Sequence, residues 1–129
     1  LATGKSTIHR YLHSPDTQSM IEACCLFGAA IDVFPDRLEI RGIEGKISHA
    51  EDVINAGNSG IVLRFCSAIG ALSSRPVVIT GDHSIRHNRP MKTLLDGLQQ
   101  LNVKAVSMRG DGFAPVIIQG PIEPGTVTI

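Results

Sequence analysis

The segment from Asn55 to Arg64 reads Asn-Ala-Gly-Asn-Ser-Gly-Ile-Val-Leu-Arg, a pattern typical of a polar turn that leads into a helix. Glycines flank Asn58 and Ser59, which belong to the residue types that cap helix N-termini well. The first N–H groups of a helix have no intrahelical acceptor and lie at the positive end of the helix dipole. The turn is therefore a candidate anion site. A helix cap without a ligand explains the same residues, because such caps far outnumber ligand sites.

A second segment, from 81 to 91, has a similar arrangement and reads Gly-Asp-His-Ser-Ile-Arg-His-Asn-Arg-Pro-Met. Pro90 is suited to the first position of a helix, which would place Arg89 at the helix cap. The planar guanidinium of arginine binds carboxylates and phosphates through two parallel hydrogen bonds. We therefore expect both loops to face one cleft and to hold a small anionic substrate there.

The other charged residues of these segments have simpler expected roles. Arg64 falls within the apolar face of the helix after the first loop, so we expect it to pair with a carboxylate or to line the cleft edge. Arg86 is expected to be a solvated surface residue. His83 and His87 lack the partner residues of a metal site and are expected to be polar loop residues. The sequence predicts neither a metal ion nor a cofactor.

The composition is that of an ordinary globular domain with a hydrophobic core: 129 residues, of which 43% are hydrophobic and 19% are charged. Twelve basic residues balance twelve acidic ones, so no net charge attracts nucleic acid or an acidic membrane surface. The chain has no tryptophan and one tyrosine, which argues against a platform for stacking nucleic-acid bases. No apolar run approaches the length needed to span a membrane.

The three cysteines are Cys24, Cys25 and Cys66, and all lie in apolar helical patterns. They form neither a disulfide framework nor a zinc-binding spacing. An odd number of such residues is typical of reduced core thiols. We therefore expect a cytoplasmic protein.

An internal repeat predicts the fold. A strand, a polar loop, a helix begun by proline, a glycine or asparagine stop and two further strands occur twice, so that Gly28 corresponds to Asn102. Leu-Glu-Ile-Arg-Gly at 38–42 is matched by Val-Ile-Ile-Gln-Gly at 116–120. This β-α-β-α-β-β rhythm predicts an α/β fold in which helices pack against mixed sheets.

The repeat also predicts how the chain is divided. Residues 1–129 are expected to form a single partial domain, with an incomplete first repeat unit over 1–47. The second unit and the start of the next would occupy 48–129. The opening Leu-Ala-Thr-Gly resembles the tail of a helix, and the closing Thr-Val-Thr-Ile alternates like an unfinished strand. We therefore expect the chain to be part of a longer protein.

Individual elements follow from caps and apolar spacing. The first strand is predicted over 5–12, and Ser14 with Pro15 predicts the start of the first helix. A later helix is predicted to begin at Pro90. The helix after the first loop is predicted over 59–72, with these residues facing the core: Ile61, Val62, Phe65, Cys66 and Ile69.

Two motifs resemble those of the 5-enolpyruvylshikimate-3-phosphate synthase family. The family's first loop reads Gly-Asn-Ala/Ser-Gly-Thr-x-x-Arg, and this chain has Gly-Asn-Ser-Gly at 57–60, followed by Arg64. The second motif reads Gly-Asp-x-Ser-Leu-x-x-Arg-Pro-Met. Here Gly-Asp at 81–82 precedes Arg-Pro-Met at 89–91, with one additional residue in between. The likeness covers the whole chain, because the family is built from the same repeat unit.

The resemblance implies an enzyme that transfers the carboxyvinyl group of phosphoenolpyruvate to the 5-hydroxyl of shikimate 3-phosphate, releasing phosphate. Gly60 and Arg89 match positions that contact phosphoenolpyruvate in that family, and Asn58, Ser59 and Arg64 would shape the loop. The family's catalytic acids and bases would lie outside this chain. No catalytic residue is therefore assigned here, and the chain alone is expected to be inactive. The whole enzyme is expected to be a monomer.

The chain departs from the family pattern beside the expected site. Ile61 occupies a position usually held by threonine, and Phe65 one often held by proline. A branched apolar side chain next to Gly60 would tighten that wall of the site. We therefore expect the whole enzyme to bind the competitive inhibitor glyphosate weakly.

Two other classes of function fit parts of the pattern. The related transferase that acts on UDP-N-acetylglucosamine would be expected to carry a cysteine near the second motif, and none lies there. A repeat-built module that binds an anion without catalysis would need only the two helix ends. Coupling between two ligands would distinguish an enzyme from such a module.

Overall fold

The computed structural model describes residues 1–48 and 50–128. Its helices, in chain order, are α1 (Pro15–Leu26), α2 (Gly60–Gly70), α3 (His83–Asn88) and α4 (Lys92–Gln99). Its strands are β1 (Lys5–His9), β2 (Ala30–Val33), β3 (Arg37–Arg41), β4 (Ile54–Asn55), β5 (Val77–Thr80), β6 (Lys104–Ser107) and β7 (Val116–Gln119). The predicted α/β class with a mixed sheet is confirmed.

The strands form two sheets that share one pairing pattern. The first sheet has the order β1-β3-β2, and both of its pairs are antiparallel. The second has the order β4-β5-β7-β6, in which β5-β7-β6 pairs in the same antiparallel manner. Strand β4 adds to β5 in parallel and makes this sheet mixed. The topological equivalence of β1-β3-β2 and β5-β7-β6 is what the sequence repeat predicts.

Each three-stranded unit ends in a glycine that the fold requires. A Cβ atom at Gly42 would collide with the carbonyl oxygen of Ala2, and one at Gly120 would collide with that of Ala71. Side chains are excluded at both positions because the chain before each unit's first strand is hydrogen-bonded to the chain that follows its last strand. Gly42 and Gly120 are the glycines that the two matching segments of the sequence share.

Local capping sets the ends of α1, as predicted. The hydroxyl of Ser14 accepts the N–H of Thr17 at 3.2 Å, and Pro15 is the first helical residue. Gly28 then adopts a φ of +104°, a left-handed conformation that suits glycine. The predicted equivalent, Asn102, has a φ of +60° after α4.

The hydrophobic core lies between the helices and the second sheet. Ile54, Leu63, Ile79, Ile85 and Ile118 are completely buried there. Burial of such side chains is the main favourable contribution to folding. Among the described residues, none of the helices is both long and apolar enough to cross a membrane.

Two predicted strand boundaries are wrong. Strand β1 ends at His9 instead of residue 12, because Arg10 takes a φ of +52° that no strand accommodates. Residues 126–128 form no strand, and Ile129 lies outside the described residues. The amide of Gln100 instead bonds both the N–H and the carbonyl oxygen of Thr128, at 3.0 and 3.1 Å.

The buried face of α2 differs from the predicted one. Val62 and Cys66 face the core as expected, but Ile61 and Phe65 are each 61% exposed. The buried positions follow the spacing i, i+1, i+4, i+5 and include Leu63 and Ser67, which were not predicted to face the core. Ile61 and Phe65 therefore lie together on the neighbouring, open face of the helix.

The second loop contains a helix that was not predicted. The carboxylate of Asp82 accepts the N–H of Ile85 at 2.9 Å and starts α3, while the Ile85 side chain is fully buried. Residues that precede proline disfavour the helical conformation, so α3 ends before Pro90. Helix α4 begins only at Lys92, and the prediction that Pro90 starts it is wrong.

Candidate anion-binding site

The two predicted loops are in direct contact. They follow β4 and β5, which are parallel neighbours, so both loops leave the same edge of the second sheet. The N–H of Asp82 donates to the carbonyl oxygen of Gly57 at 2.8 Å, and the N–H of Ala56 donates to that of Thr80 at 2.8 Å. The sheet therefore brings together two segments that lie more than twenty residues apart in sequence.

The first loop delivers the N-terminus of α2 with open donors. The side chain of Ser59 is buried and accepts the N–H of Val62 at 3.3 Å, which makes Ser59 the helix cap. The side-chain oxygen of Asn55 accepts the N–H of Gly57 at 2.9 Å and closes the turn. In the described part of the chain, the N–H groups of Gly60 and Ile61 have no hydrogen-bond acceptor.

Arg64 links the two loops through backbone oxygens. Its Nη1 donates to the carbonyl oxygen of Gly60 and its Nη2 to that of Pro90, each at 3.1 Å. Of the two alternatives expected for Arg64, a carboxylate partner is not found among residues 1–48 and 50–128, and the side chain lines the cleft instead. The guanidinium therefore lies beside the N-terminus of α2.

Arg89 reaches the same place from the other loop. It is the C-terminal cap of α3, so the prediction that it caps the next helix is wrong; Met91 holds that position without a side-chain hydrogen bond. A Cβ atom at Gly60 would lie 3.9 Å from Cδ and Nε of Arg89. Within the described residues, no carboxylate oxygen lies within 4.0 Å of the Arg89 guanidinium.

These groups surround an open cleft of about 400 Å³. The lining residues are Asp16, Asn58, Gly60, Ile61, Arg64, Phe65 and Arg89. Five of the six residues predicted for the site are among them. The exception is Ser59, whose side chain faces the core and acts on the cleft only through the helix that it caps.

Asp16 also lines the cleft, although no sequence motif predicts it. It lies in the first turn of α1, which packs beside the first loop: a Cβ atom at Gly57 would lie 3.0 Å from the hydroxyl oxygen of Ser19. Asp16 brings a carboxylate to a cleft that otherwise holds two cations. No local pattern marks it, because its place depends on the packing of α1 against the loop.

A larger depression, of about 520 Å³, lies between α4 and β6 but offers weaker chemistry. Its lining includes Lys92, which is already paired with Asp96 at 2.6 Å, and a second carboxylate, Asp111. A small anion would therefore meet a neutralised lysine and a further negative charge. No group of three or more potential metal-binding side chains was found in the described part of the chain.

The cysteines have no part in the cleft. Burial, and to a smaller extent the neighbouring Cys24, raises the pKa of Cys66 to about 12. Burial also raises the pKa of Cys24, whereas Cys25 is exposed. The Cys66 thiol therefore remains protonated and unreactive at neutral pH.

A comparison with known proteins gives one consistent answer. The family model described as EPSP synthase (3-phosphoshikimate 1-carboxyvinyltransferase) matches residues 1–129. The 3-phosphoshikimate 1-carboxyvinyltransferase of Methanococcoides burtonii is 47% identical over 119 residues, covering 92% of this chain and 28% of the relative. That of Chlamydia muridarum is 40% identical over 130 residues, covering 100% of this chain and 29% of the relative.

The fold agrees with this relationship. A solved structure of EPSP synthase from Acinetobacter baumannii superposes with a TM-score of 0.90 and 22% identity, over 100% of this chain and 30% of that one. The chain thus spans under a third of the length of the proteins that it matches. The family predicted from the two loop motifs is confirmed: this chain belongs to the EPSP synthase family.

Proposed function

We propose that the whole protein transfers the carboxyvinyl group of phosphoenolpyruvate to the 5-hydroxyl of shikimate 3-phosphate and releases phosphate. Membership of the EPSP synthase family supports this activity. The chain corresponds to about 28% to 30% of its relatives and supplies part of the phosphoenolpyruvate site. The first repeat unit occupies 1–47, and the second unit with the start of the next occupies 48–129.

The observation that carries this proposal is the grouping of Arg64 and Arg89 with open N–H groups around one cleft, where neither guanidinium contacts a carboxylate of residues 1–48 or 50–128. Phosphoenolpyruvate has a carboxylate and a phosphate, both of which accept charge-assisted hydrogen bonds. The open N–H groups at the start of α2, together with the positive end of the helix dipole, are suited to bind one of these two anionic groups. Arg89 supplies a bidentate donor that no carboxylate of the described residues occupies.

The remaining lining residues shape the site. Ser59 holds the first turn of α2, and Arg64 fixes the distance between Gly60 and the second loop. Asn58 lies beside the helix start as a further polar contact, and Ile61 forms a wall of the cleft.

The chain's part in the reaction is binding and orientation. Addition of the hydroxyl to phosphoenolpyruvate requires one group to protonate the methylene carbon and another to remove the hydroxyl proton. We assign these roles to residues of the whole enzyme outside this chain. The free thiols of Cys24, Cys25 and Cys66 support a cytoplasmic location.

Titration of the full-length protein with phosphoenolpyruvate, with and without shikimate 3-phosphate, tests the proposal. We expect each substrate to tighten the binding of the other. Loss of a charged hydrogen-bonding group costs about 1.5–3 kcal/mol, so Arg89→Gln should weaken phosphoenolpyruvate binding by about ten- to hundredfold. Arg75→Gln removes an exposed arginine from another surface and is the matched control.

The outcome also separates the enzyme from its alternative. A module that only binds anions would take up phosphoenolpyruvate or inorganic phosphate without any coupling to shikimate 3-phosphate. Absence of coupling, or an Arg89→Gln variant that binds like Arg75→Gln, would contradict the proposed function.

A further inference from the structure

The turn between β6 and β7 reaches across to the C-terminal end of α3. Nη2 of Arg109 donates to the carbonyl oxygen of Arg86, in the last turn of that helix. Nη1 of the same guanidinium lies 3.2 Å from Nε2 of His87. One cation thus contacts both a backbone oxygen and an imidazole of the six-residue helix that Arg89 terminates.

The two contacts of the His87 ring restrict how its nitrogens can share hydrogen bonds. Its Nδ1 lies 2.9 Å from the carbonyl oxygen of His83, which only accepts, so Nδ1 carries the proton. Arginine only donates, so Nε2 accepts from Arg109 and carries no proton. Both hydrogen bonds together require the tautomer with its proton on Nδ1, and the ring stacks on that of His83 with centroids 4.2 Å apart.

Arg109 is itself held firmly by the turn. Its Nη2 lies 2.8 Å from a carboxylate oxygen of Asp111. That carboxylate accepts the N–H of Phe113 at 3.0 Å and the hydroxyl of Ser107 at 3.1 Å. These bonds and the Arg109 charge hold the pKa of Asp111 below its usual value, with the Phe113 N–H as the largest cause. A continuous set of polar contacts therefore runs from the second sheet to α3.

Two arginines, Arg64 and Arg109, bind backbone oxygens on either side of Arg89 in the sequence. On one side Arg64 holds the carbonyl oxygen of Pro90 at 3.1 Å, and on the other Arg109 holds that of Arg86. The backbone that carries the Arg89 side chain is thus fixed before and after this residue. Arg64 lines the cleft itself, whereas Arg109 is not among its lining residues.

We propose that Arg109 is a positioning residue for Arg89, acting through the end of α3, and that its contact with His87 makes the positioning dependent on pH. The inference rests on the proposed role of Arg89 in binding phosphoenolpyruvate. Arg109 touches no substrate. It holds the helix end in the orientation that directs Arg89 into the cleft.

The charges around His87 determine the direction of the pH effect. His83 and Arg86 lie on the same helix, Arg109 contacts His87 from the turn, and Asp111 lies against Arg109. Histidine side chains change charge between about pH 5 and 8. Protonation of Nε2 removes the acceptor and places an imidazolium against the Arg109 guanidinium. Repulsion between these two cations then opposes the contact of Arg109 with the carbonyl oxygen of Arg86, and the restraint on α3 weakens as the pH falls.

The test measures phosphoenolpyruvate binding by the full-length enzyme, in the presence of shikimate 3-phosphate, from about pH 5.5 to 8. The variants are Arg109→Gln, Arg109→Lys and His87→Gln, with Arg75→Gln as the control. Arg109→Gln should raise the Kd for phosphoenolpyruvate by about three- to tenfold at pH 8, with kcat nearly unchanged. Arg109→Lys should restore part of the affinity, because a lysine still donates to one acceptor.

The pH profile supplies a readout that a purely structural role would not move. The Kd of the unmodified enzyme should rise as the pH falls through the range of imidazole protonation. His87→Gln, which keeps an acceptor near the position of Nε2 but does not titrate, should remove that rise. Loss of the rise in His87→Gln with unchanged thermal stability supports the proposal.

Two outcomes would overturn the proposed role of Arg109, and both differ from a failure of the proposed function. One is an Arg109→Gln variant that binds phosphoenolpyruvate as tightly as Arg75→Gln does. The other is a His87→Gln variant in which the Kd still rises as the pH falls. Either result, in an enzyme whose Arg89→Gln variant loses affinity, rejects the positioning role alone. Arg89→Gln without an effect would instead reject the role of Arg89 in the proposed site.

Discussion

The N–H of Asp82 donates to the carbonyl oxygen of Gly57 at 2.8 Å, and this bond joins the two loops that form the cleft. It is possible only because the backbones approach closely beside Gly81. A Cβ atom at Gly81 would lie 2.7 Å from that same carbonyl oxygen and 2.6 Å from Cγ2 of Ile85. The contact between the loops and the burial of Ile85 therefore depend on one glycine.

Gly81→Ala should accordingly destabilise the protein. Neither obstacle is the free end of a flexible side chain: one is backbone, and the other is a fully buried residue. Overpacking of this kind typically costs about 1–3 kcal/mol. Urea denaturation should show a lower midpoint with an unchanged slope.

Gly97→Ala is the matched control for that experiment. Its added Cβ atom would meet Cγ1 of Val127 at 3.4 Å, an ordinary contact, and the residue lies within α4. Alanine is favoured over glycine inside a helix by up to about 1 kcal/mol. The control should therefore be as stable as the unmodified protein or more so. Equal stability of the two alanine variants would contradict the explanation.

The helix ends could be predicted from the sequence, because each depends on the residues next to it in the chain. The serine cap and proline that begin α1, the left-handed stop at Gly28 and the equivalent stop at Asn102 each follow from the conformational preference of one residue. The loop motifs that contain Gly60 and Arg89 were also recognisable. These features were sufficient to predict the fold class and most of the cleft.

The errors have a common physical cause, which is tertiary packing. Helix α3 forms because Ile85 is drawn into the core, although its polar sequence is typical of a loop. Ile61 and Phe65 are apolar yet exposed, since the buried stripe of α2 is set by the sheet beneath it. Asp16 reaches the cleft only because α1 packs beside the first loop.

Gly60→Ala should weaken phosphoenolpyruvate binding without unfolding the protein. The added Cβ atom would lie 3.0 Å from Nη1 of Arg64, which is the end of a long side chain and can move without a shift of the backbone. The shift would disturb the bridge to Pro90 and would narrow the cleft beside the open N–H groups. We expect the KM for phosphoenolpyruvate of the full-length enzyme to rise by about tenfold, which corresponds to about 1.4 kcal/mol.

Steady-state kinetics with each substrate varied in turn would check this expectation. The KM for shikimate 3-phosphate should change much less, because Gly60 is assigned to the other substrate. Thermal unfolding should stay within a few degrees of the unmodified enzyme, as in Gly97→Ala. A general loss of stability with proportional effects on both substrates would contradict the local explanation.

Ile61→Thr should strengthen inhibition of the full-length enzyme by glyphosate. Ile61 is 61% exposed and lies in the cleft wall next to Gly60, so its branched apolar side chain narrows the space for an anion. Threonine has a smaller apolar surface than isoleucine, and its hydroxyl can form a hydrogen bond with a ligand. We expect a several-fold lower inhibition constant, measured in competition with phosphoenolpyruvate.

A control for this substitution is Leu72→Thr, which changes another exposed apolar residue, 44% accessible, outside the cleft. Its inhibition constant should equal that of the unmodified enzyme. An inhibition constant that Ile61→Thr leaves unchanged would show that this side chain does not limit access to the site.

Cys66 should resist alkylation while the protein is folded, and Cys25 should not. Burial raises the pKa of Cys66 to about 12, so almost no thiolate is present at pH 8, and the sulfur is also shielded from the reagent. Cys25 is exposed and retains access to solvent. Timed treatment with iodoacetamide followed by peptide mass spectrometry should show modification at Cys25 well before Cys66. In denaturing urea the two modification rates should converge, because only the folded core distinguishes the thiols. Rapid modification of Cys66 under native conditions would contradict the prediction and would mean that α2 opens far more often than its packing implies.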